Sequence, residues 1–248
     1  MIVDNYFRLG GDPNDGPVVI GADSESTLFC GDCRDILLSE MVLSFDTVVT
    51  DIPYGEASDA KRGGGREKYR GQLREVGKGG ENHRTIQDKD MVRILLNSNA
   101  NSYYVFCSTE QAGVLRAGFQ EAGLSTRTGV WLKSNPSPAN GQHLWTNALE
   151  MLVFARMPKS FFHEKYRCKA PFWNYPVVHG KSRLVKTQKP VSMIAGMIEA
   201  STPPGGAVLD PFCGSGTTME AARSIGMKSV GIEYDMGRAS KAKERLWG

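Results

Sequence analysis

Short apolar runs alternate with amphipathic stretches along most of the chain. Seven of these runs are rich in β-branched, aromatic and aliphatic residues, which predicts buried strands. Helical patterns lie between many of them, and the clearest covers 109–122, where Thr109 caps the start and Gly123 closes the end. This alternation predicts an α/β fold with a parallel, doubly wound sheet that binds ligands at the carboxyl ends of its strands. The predicted strands cover 27–30, 47–50, 103–107, 129–132, 151–155, 207–209 and 229–232, and the other helices cover 191–200, 217–225 and 236–246.

Length and composition narrow the class of protein. With 248 residues, 40% hydrophobic and 23% charged, the chain suits one generous α/β domain over 1–248 and excludes a disordered or collagen-like chain. No run approaches the ~18 apolar residues of a membrane span, so no membrane partner is expected. The start of the chain carries Asp4 and Asp12 and lacks the apolar stretch of a signal peptide. We therefore expect a cytoplasmic protein.

Cysteine usage agrees with a reducing compartment. The five cysteines are an odd number and are scattered at 30, 33, 107, 168 and 213, which suits reduced thiols. Cys30 and Cys33 form a C-x-x-C pair, but a zinc site would need a second such pair or a Cys/His pair nearby, and none follows. No metal site is predicted.

Basic charge is concentrated in two segments. The net charge is only +3, yet 156–186 holds eight lysines and arginines against one acid, with six aromatic residues among them. Basic residues interleaved with aromatics suit a surface that meets phosphates and unstacked bases, and the alternative is a solvated face beside core aromatics. Residues 56–84 hold eight basic and five acidic residues with seven glycines and no apolar period. That composition predicts a mobile loop, either a lid, a DNA-contacting loop or a linker.

A glycine-rich turn follows one predicted strand. The run 207–209 leads through Asp210 into Gly214-Ser215-Gly216, where a ligand can approach the backbone closely. The third glycine of a dinucleotide fingerprint and the lysine of a phosphate loop are absent, which favours a nucleoside-like ligand without a diphosphate. Glu233 ends the next strand 17 residues after Gly216, close to the spacing at which an acid binds a ribose hydroxyl. The alternative is a structural turn with a helix-capping acid.

A second strand end carries Asp51-Ile52-Pro53-Tyr54. A carboxylate, a backbone that Pro53 keeps extended, and an aromatic ring stand together at this strand tip. By itself the tetrapeptide favours the alternative, a turn followed by a core tyrosine.

The two motifs, in this order, resemble those of the DNA amino-methyltransferases. The segment 51–54 is similar to the family's catalytic tetrapeptide, usually Asp-Pro-Pro-Tyr, and 210–218 is similar to its S-adenosylmethionine motif. Three further segments fit by order and spacing: 30–33, 131–136 and 187–190. The resemblance covers roughly 27–247. Because the catalytic motif comes first, the resemblance implies a circularly permuted, β-type form of the Rossmann-like methyltransferase sheet, with 156–186 as a short target-recognition insertion.

The resemblance also implies a reaction and assigns roles to residues. A methyl group would pass from S-adenosylmethionine to the exocyclic N6 amine of an adenine that is flipped out of double-stranded DNA. The implied catalytic residues are Asp51 and the Ile52 carbonyl at the amine, Pro53, and Tyr54 stacked on the base. The implied cofactor-binding residues are Asp32 for the adenine, Glu233 for the ribose, Lys189 and Asp210 for the amino-acid end, and Phe212, Cys213, Gly214, Ser215, Gly216 and Thr217 around the remainder.

The chain departs from the family's pattern at one catalytic position, and several competing functions stay open. Ile52 replaces the first proline of the tetrapeptide, but it keeps the carbonyl, and Pro53 restrains it, so retained activity is expected. Asp51 favours adenine, whereas relatives acting on the N4 amine of cytosine tend to carry serine there. Three other interpretations stay open: the substrate is RNA or a free base, the protein is a non-catalytic DNA-binding relative, or it is a nicotinamide oxidoreductase. Because the insertion is short, we expect either a short recognition sequence or help from the loop 56–84 and from the second subunit of a homodimer.

Overall fold

The computed structural model describes residues 8–9, 16–37, 44–53, 86–136, 145–180 and 188–248. Within them, ten strands form one sheet flanked by six α-helices, and no helix is long and apolar enough to span a bilayer. The strands are β1 (Arg8–Leu9), β2 (Val18–Ala22), β3 (Ser26–Cys30), β4 (Thr47–Asp51), β5 (Ser102–Cys107), β6 (Ser125–Lys133), β7 (Leu149–Arg156), β8 (Phe172–Tyr175), β9 (Ala207–Asp210) and β10 (Lys228–Glu233), and the helices are α1 (Cys33–Leu37), α2 (Asp88–Leu96), α3 (Thr109–Glu121), α4 (Val191–Ser201), α5 (Thr217–Ser224) and α6 (Met236–Trp247).

The sheet is parallel at its centre and antiparallel at its flanks. Its order is β1-β2-β3-β10-β9-β4-β5-β7-β6-β8. The five central strands, β3, β10, β9, β4 and β5, run parallel to one another. By contrast, β2 pairs antiparallel with β3, and β7 pairs antiparallel with both β5 and β6. The prediction of a parallel sheet is therefore wrong at the flanks. No helical pattern separates the runs that form β6 and β7, and neighbouring strands without a crossover helix pair antiparallel.

Helices cover both faces of the central strands, as predicted for a doubly wound sheet. Val48 and Tyr103 point to the face packed by α1, α2 and α3, while Val49 and Tyr104 point to the face packed by α4 and α5. Every residue of β5 is buried. Burying a large apolar side chain stabilises a fold by about 1.5–3 kcal/mol, so the central strands are firmly held and their carboxyl ends are fixed in position.

Gly231 in β10 packs closely against the side chains of Cys213, in the glycine-rich turn, and Met219, in α5. A methyl group added there would overlap the Met219 sulfur and lie 3.0 Å from the Cys213 Sγ. We expect Gly231→Ala to lower the free energy of unfolding by about 1–3 kcal/mol, because the overpacked core must shift. Thermal melting of Gly231→Ala and of the wild type measures this loss of stability. Gly113→Ala is the control: an added methyl at this position in α3 meets nothing within 4 Å, and the variant should melt no lower than the wild type. A Gly231→Ala protein with unchanged stability would contradict the packing argument.

Candidate active site

Both motifs found in the sequence line one cleft at the carboxyl ends of the parallel strands. Asp51 is the last residue of β4, and Asp210 is the last residue of the neighbouring β9. The two strands pair directly, with Val48 beside Leu209, so their tips meet. The cleft is lined by Val49, Thr50, Asp51, Phe106, Gln188, Lys189, Ile194, Asp210, Phe212, Cys213, Gly214, Ser215, Thr217, Thr218 and Arg238.

The glycine-rich turn between β9 and α5 has the backbone that only glycine adopts readily. Gly214 and Gly216 have φ angles of 55° and 79°, in the left-handed region. A Cβ added at Gly214 would meet nothing within 4 Å, so the space beside the turn is open to a ligand. At Gly216 the added Cβ would lie 3.1 Å from the Cβ of Ala242, so this glycine also lets α6 pack closely.

Glu233 ties the end of β10 to this turn. Its carboxylate is buried and accepts hydrogen bonds from the Gly214 N–H at 2.8 Å and from the Asp235 N–H at 2.9 Å. Burial raises the pKa of Glu233 above its ordinary value, against the opposing effect of those backbone donors. The acid predicted to bind a ribose therefore also fixes the shape of the glycine-rich turn.

Asp210 forms the buried floor of the cleft. Its Oδ1 accepts a hydrogen bond from the Thr50 hydroxyl at 2.7 Å and another from the Phe212 N–H at 3.1 Å. Burial raises the pKa of Asp210 to about 6, and the nearby Asp51 carboxylate contributes in the same direction. A cation bound in the cleft would favour the ionised form of this carboxyl group.

The raised pKa of Asp210 predicts a pH-dependent stability. A pKa raised from 3.8 to about 6 on folding gives stability that is full below pH 4 and is lost as the pH rises through 6. Asp210→Asn keeps an oxygen for Thr50 and Phe212 but cannot ionise. We expect it to be more stable than the wild type by about 1–3 kcal/mol at pH 8, with no such gain at pH 4. Melting curves of both proteins across this range measure the difference, and a gain independent of pH would contradict the prediction.

Lys189 contacts Asp51 rather than Asp210. Its Nζ lies 2.7 Å from Asp51 Oδ2 and 3.0 Å from Glu150 Oε2, and its side chain is only 8% exposed. Burial alone would lower the pKa of Lys189, but the two carboxylates raise it above its ordinary value. The sequence assigned this lysine, together with Asp210, to the amino-acid end of the cofactor. It did not point to Glu150, which lies at the start of β7 and also binds Lys133.

The tetrapeptide is held by a residue that the sequence reasoning also missed. The buried Gln111 side chain donates from Nε2 to the Pro53 carbonyl at 2.9 Å and to Asp88 Oδ1 at 2.7 Å. Its own Oε1 accepts from the Ser108 N–H as part of a capping box at the start of α3, so the helix is capped by Ser108 and not by the predicted Thr109. The Ser-x-x-Gln spacing is a signal that could have identified it. Ile52 is buried, and its N–H donates to the Phe106 carbonyl, while Tyr54 falls outside the described residues.

Asp32 lies beside β10 but is already paired. It follows β3, where the Gly31 N–H donates to the Glu233 carbonyl at 3.0 Å, and its carboxylate binds Arg34 at 2.5 Å. Burial raises the pKa of the neighbouring Cys30 and Cys33 thiols to about 11 and 12, so neither is a reactive thiolate. Among the described residues no group of three His, Cys, Asp or Glu side chains could hold a metal ion.

The basic, aromatic segment 156–186 divides into two parts. Arg156 ends β7, six residues from Glu150 and therefore about 20 Å away, at the opposite edge of the sheet. The residues just after it cover α4: the His163 N–H donates to the Ala200 carbonyl, and Glu199 binds both Lys165 and Tyr166. This part therefore fits the interpretation of structural aromatics beside a solvated face.

The second part of the segment returns towards the cleft. β8 runs parallel to β6, with Tyr175 beside Lys133, so 172–180 reaches the edge of the sheet where Asp51 lies. The Trp131 indole N–H donates to the Tyr175 carbonyl at 2.9 Å and fixes this approach. Residues 181–187, and the whole predicted loop 56–84, lie outside the described residues.

Solved structures share this architecture. The M1.HpyAVI–SAM complex matches with a TM-score of 0.69 at 21% identity over 90% of this chain and 100% of that one. The PvuII cytosine-N4-specific DNA methyltransferase matches with a TM-score of 0.67 at 16% identity over 92% of this chain and 88% of that one. At these identities the likeness shows the fold alone, which is the Rossmann-like fold of S-adenosylmethionine-dependent methyltransferases.

Sequence comparison identifies the family within that class. The family model described as DNA methylase matches residues 45–244, and the chain belongs to this family. Type II methyltransferase M.HinfI of Haemophilus influenzae is 32% identical over 135 residues, 47% of this chain and 38% of the relative. Type II methyltransferase M2.LlaDCHI of Lactococcus lactis subsp. cremoris is 26% identical over 227 residues, 82% of each chain. The protein is therefore a DNA methyltransferase with S-adenosylmethionine as its cofactor, and a nicotinamide oxidoreductase is excluded.

Proposed function

We propose that this enzyme methylates the exocyclic N6 amine of an adenine that is flipped out of duplex DNA. The observation that carries the proposal is the position of Asp51, at a strand tip inside the cleft that the glycine-rich turn also lines. Aspartate at the first position of the tetrapeptide favours adenine over cytosine. The order of the strands along the chain, with β4 before β9, supports the β-type permutation.

The residues of the cleft fit S-adenosylmethionine. The open space beside Gly214 leaves room for the ligand, and Asp210 and Glu233 place two acids near a cationic, nucleoside-containing molecule. When bound, the cofactor supplies an electrophilic methyl group on a sulfonium. Glu233 would hold the ribose of the cofactor, and Asp32 would hold its adenine. Asp210 would hold its amino-acid end, with Lys189 beside it, and residues 212–217 would surround the other parts of the cofactor.

Asp51 orients the amine of the target base. That amine is a weak nucleophile, because its lone pair is delocalised into the ring. Hydrogen bonds to the Asp51 carboxylate and to the Ile52 carbonyl favour a pyramidal nitrogen whose lone pair faces the methyl group. The nitrogen becomes acidic only as it is methylated, so Asp51 need not be a strong base, and positioning supplies much of the rate. Tyr54 stacks on the flipped base, which is worth about 1–3 kcal/mol.

We assign recognition of the DNA sequence to the second part of the basic segment, from 172 onward, which approaches the cleft. Residues 56–84 and a second subunit of a homodimer would assist it. In the first part of the segment, Lys165 and Tyr166 are already bound to Glu199 of α4.

Methyl transfer from labelled S-adenosylmethionine to unmethylated duplex DNA tests the proposal. The DNA is digested afterwards and the nucleosides are separated by mass. Label in N6-methyladenine is the expected result. Label in N4-methylcytosine would keep the chemistry and overturn the choice of base, and label in RNA alone would overturn the choice of nucleic acid. No transfer, with cofactor and DNA both bound, would indicate a non-catalytic DNA-binding relative.

A further inference from the structure

Four side chains of alternating charge form a line that leads away from Asp51. Asp51 Oδ2 lies 2.7 Å from Lys189 Nζ, which lies 3.0 Å from Glu150 Oε2, and Glu150 Oε1 lies 2.8 Å from Lys133 Nζ. The four residues come from the tip of β4, the approach to α4, the start of β7 and the end of β6. Two carboxylates and two ammonium groups balance one another, so the line carries no net charge.

The ammonium of Lys189 is tightly confined. Its side chain is 8% exposed, and its Nζ lies 4.9 Å from the centre of the Phe106 ring and 5.9 Å from the centre of the Trp131 ring. A buried cation is tolerated only where carboxylates pair with it. Removing either of its carboxylate partners, Asp51 or Glu150, therefore changes the position of the ammonium group.

We propose that Glu150 is a positioning residue for methyl transfer, which shares the Lys189 ammonium with Asp51 and so sets the orientation of the Asp51 carboxylate in the cleft. The inference rests on the proposed function, in which Asp51 contacts the target amine. Without the charge of Glu150, the ammonium is drawn onto Asp51 and competes with the amine for its oxygens. Lys133 holds Glu150 from the far side and keeps it in place.

The charges around Lys189 support this assignment. Asp51 from β4 and Asp210 from β9 line the same cleft as the lysine, while Glu150 from β7 contacts the lysine and is itself bound by Lys133 from β6. Burial raises the pKa of Glu150, but Lys189 and Lys133 outweigh it, and the net pKa lies below the ordinary value. Glu150 is thus a stable anion, and its charge helps to keep Lys189 protonated.

Kinetics of Glu150→Gln on duplex DNA test the proposal. We expect kcat to fall about 10- to 100-fold, because a misplaced reactive group costs this much. The KM values for cofactor and DNA should stay within about threefold of the wild type, since binding of both is retained. The alkaline limb of the kcat profile should move down by about one pH unit, because Lys189 loses one of its carboxylates. Glu150→Asp should recover part of kcat.

Two further variants separate positioning from a general structural effect. Glu199→Gln removes a carboxylate from another Glu–Lys pair, formed with Lys165 at the opposite edge of the sheet, and should leave kcat and its pH profile unchanged. Lys133→Met leaves the Lys189–Glu150 contact intact and should cost less than Glu150→Gln. Thermal melting of each variant establishes that it is folded.

Several outcomes would overturn the inference. One is a Glu150→Gln enzyme with wild-type kcat and pH profile, and another is a loss confined to the KM for cofactor, which would mean that Lys189 serves the cofactor instead. A wild-type enzyme inactive on all DNA contradicts the proposed function, a separate result. In that case, crystal structures of the wild type and of Glu150→Gln test the positioning role. The substitution should displace the Asp51 side chain, and an Asp51 carboxylate in the same place would contradict the inference.

Discussion

The Asp51→Ala variant should bind its cofactor and duplex DNA normally and yet transfer methyl groups at least about 10³-fold more slowly than the wild type. Asp51 ends β4 with its side chain 30% exposed towards the cleft, so its loss leaves no large cavity. What is lost is the acceptor that orients the amine of the base. Single-turnover transfer of labelled methyl groups measures the rate. Equilibrium binding measures the affinities for the cofactor and for duplex DNA.

Asp90→Ala is the matched control for this experiment. Asp90 lies in the first turn of α2, where, within the part of the chain that the structure describes, its carboxylate makes one long contact, with Arg93 at 3.9 Å. Its removal should leave the rate unchanged. A fully active Asp51→Ala enzyme would contradict the assigned role. If cofactor affinity fell as steeply as the rate, the effect would belong to the Lys189 contact, because the variant also leaves that ammonium with one partner fewer.

The glycine-rich turn and the central strands could be predicted from the sequence because their determinants are local. The turn 210–216 joins a short apolar run to a helical pattern, and its two glycines adopt left-handed backbone in the structure. The runs behind β4, β5, β9 and β10 are rich in aliphatic and aromatic residues and lack a regular polar–apolar alternation, which is typical of strands buried on both faces. Interactions between near neighbours in the chain were therefore sufficient at these places.

The contacts that Glu150 and Gln111 make with the site could not be predicted, because they arise from pairing between distant strands and helices. The Ser-x-x-Gln spacing indicates the capping box of Gln111 but not its contact with Pro53. Glu150 lies 39 residues before Lys189 and meets it only because β7 runs antiparallel beside β5, the arrangement that the predicted parallel sheet lacked. Gln111 reaches back 58 residues to the Pro53 carbonyl. The contacts of the aromatics near Phe162 are also non-local, since Phe162 packs on Phe154 of β7 and Tyr166 donates to Glu199 of α4.

Replacing Glu233 should weaken cofactor binding more than it slows methyl transfer. Its carboxylate accepts from the Gly214 and Asp235 N–H groups and so fixes the turn that, in the proposed function, surrounds the cofactor. Alanine leaves two backbone donors without this acceptor, and each hydrogen bond to a charged group is worth about 1.5–3 kcal/mol. We expect the Kd for S-adenosylmethionine to rise about 100-fold in Glu233→Ala and about 10-fold in Glu233→Gln, which keeps one acceptor.

Isothermal titration with S-adenosylmethionine measures these affinities, and Glu244→Gln, on the exposed face of α6, provides a charge-matched control with unchanged binding. At saturating cofactor the kcat of Glu233→Gln should return to within about tenfold of the wild type, because Asp51 and its contacts are untouched. Unchanged affinity in Glu233→Ala would mean that the turn keeps its shape without this carboxylate. The acid at the end of β10 would then be a structural cap, the role that the sequence alone left open.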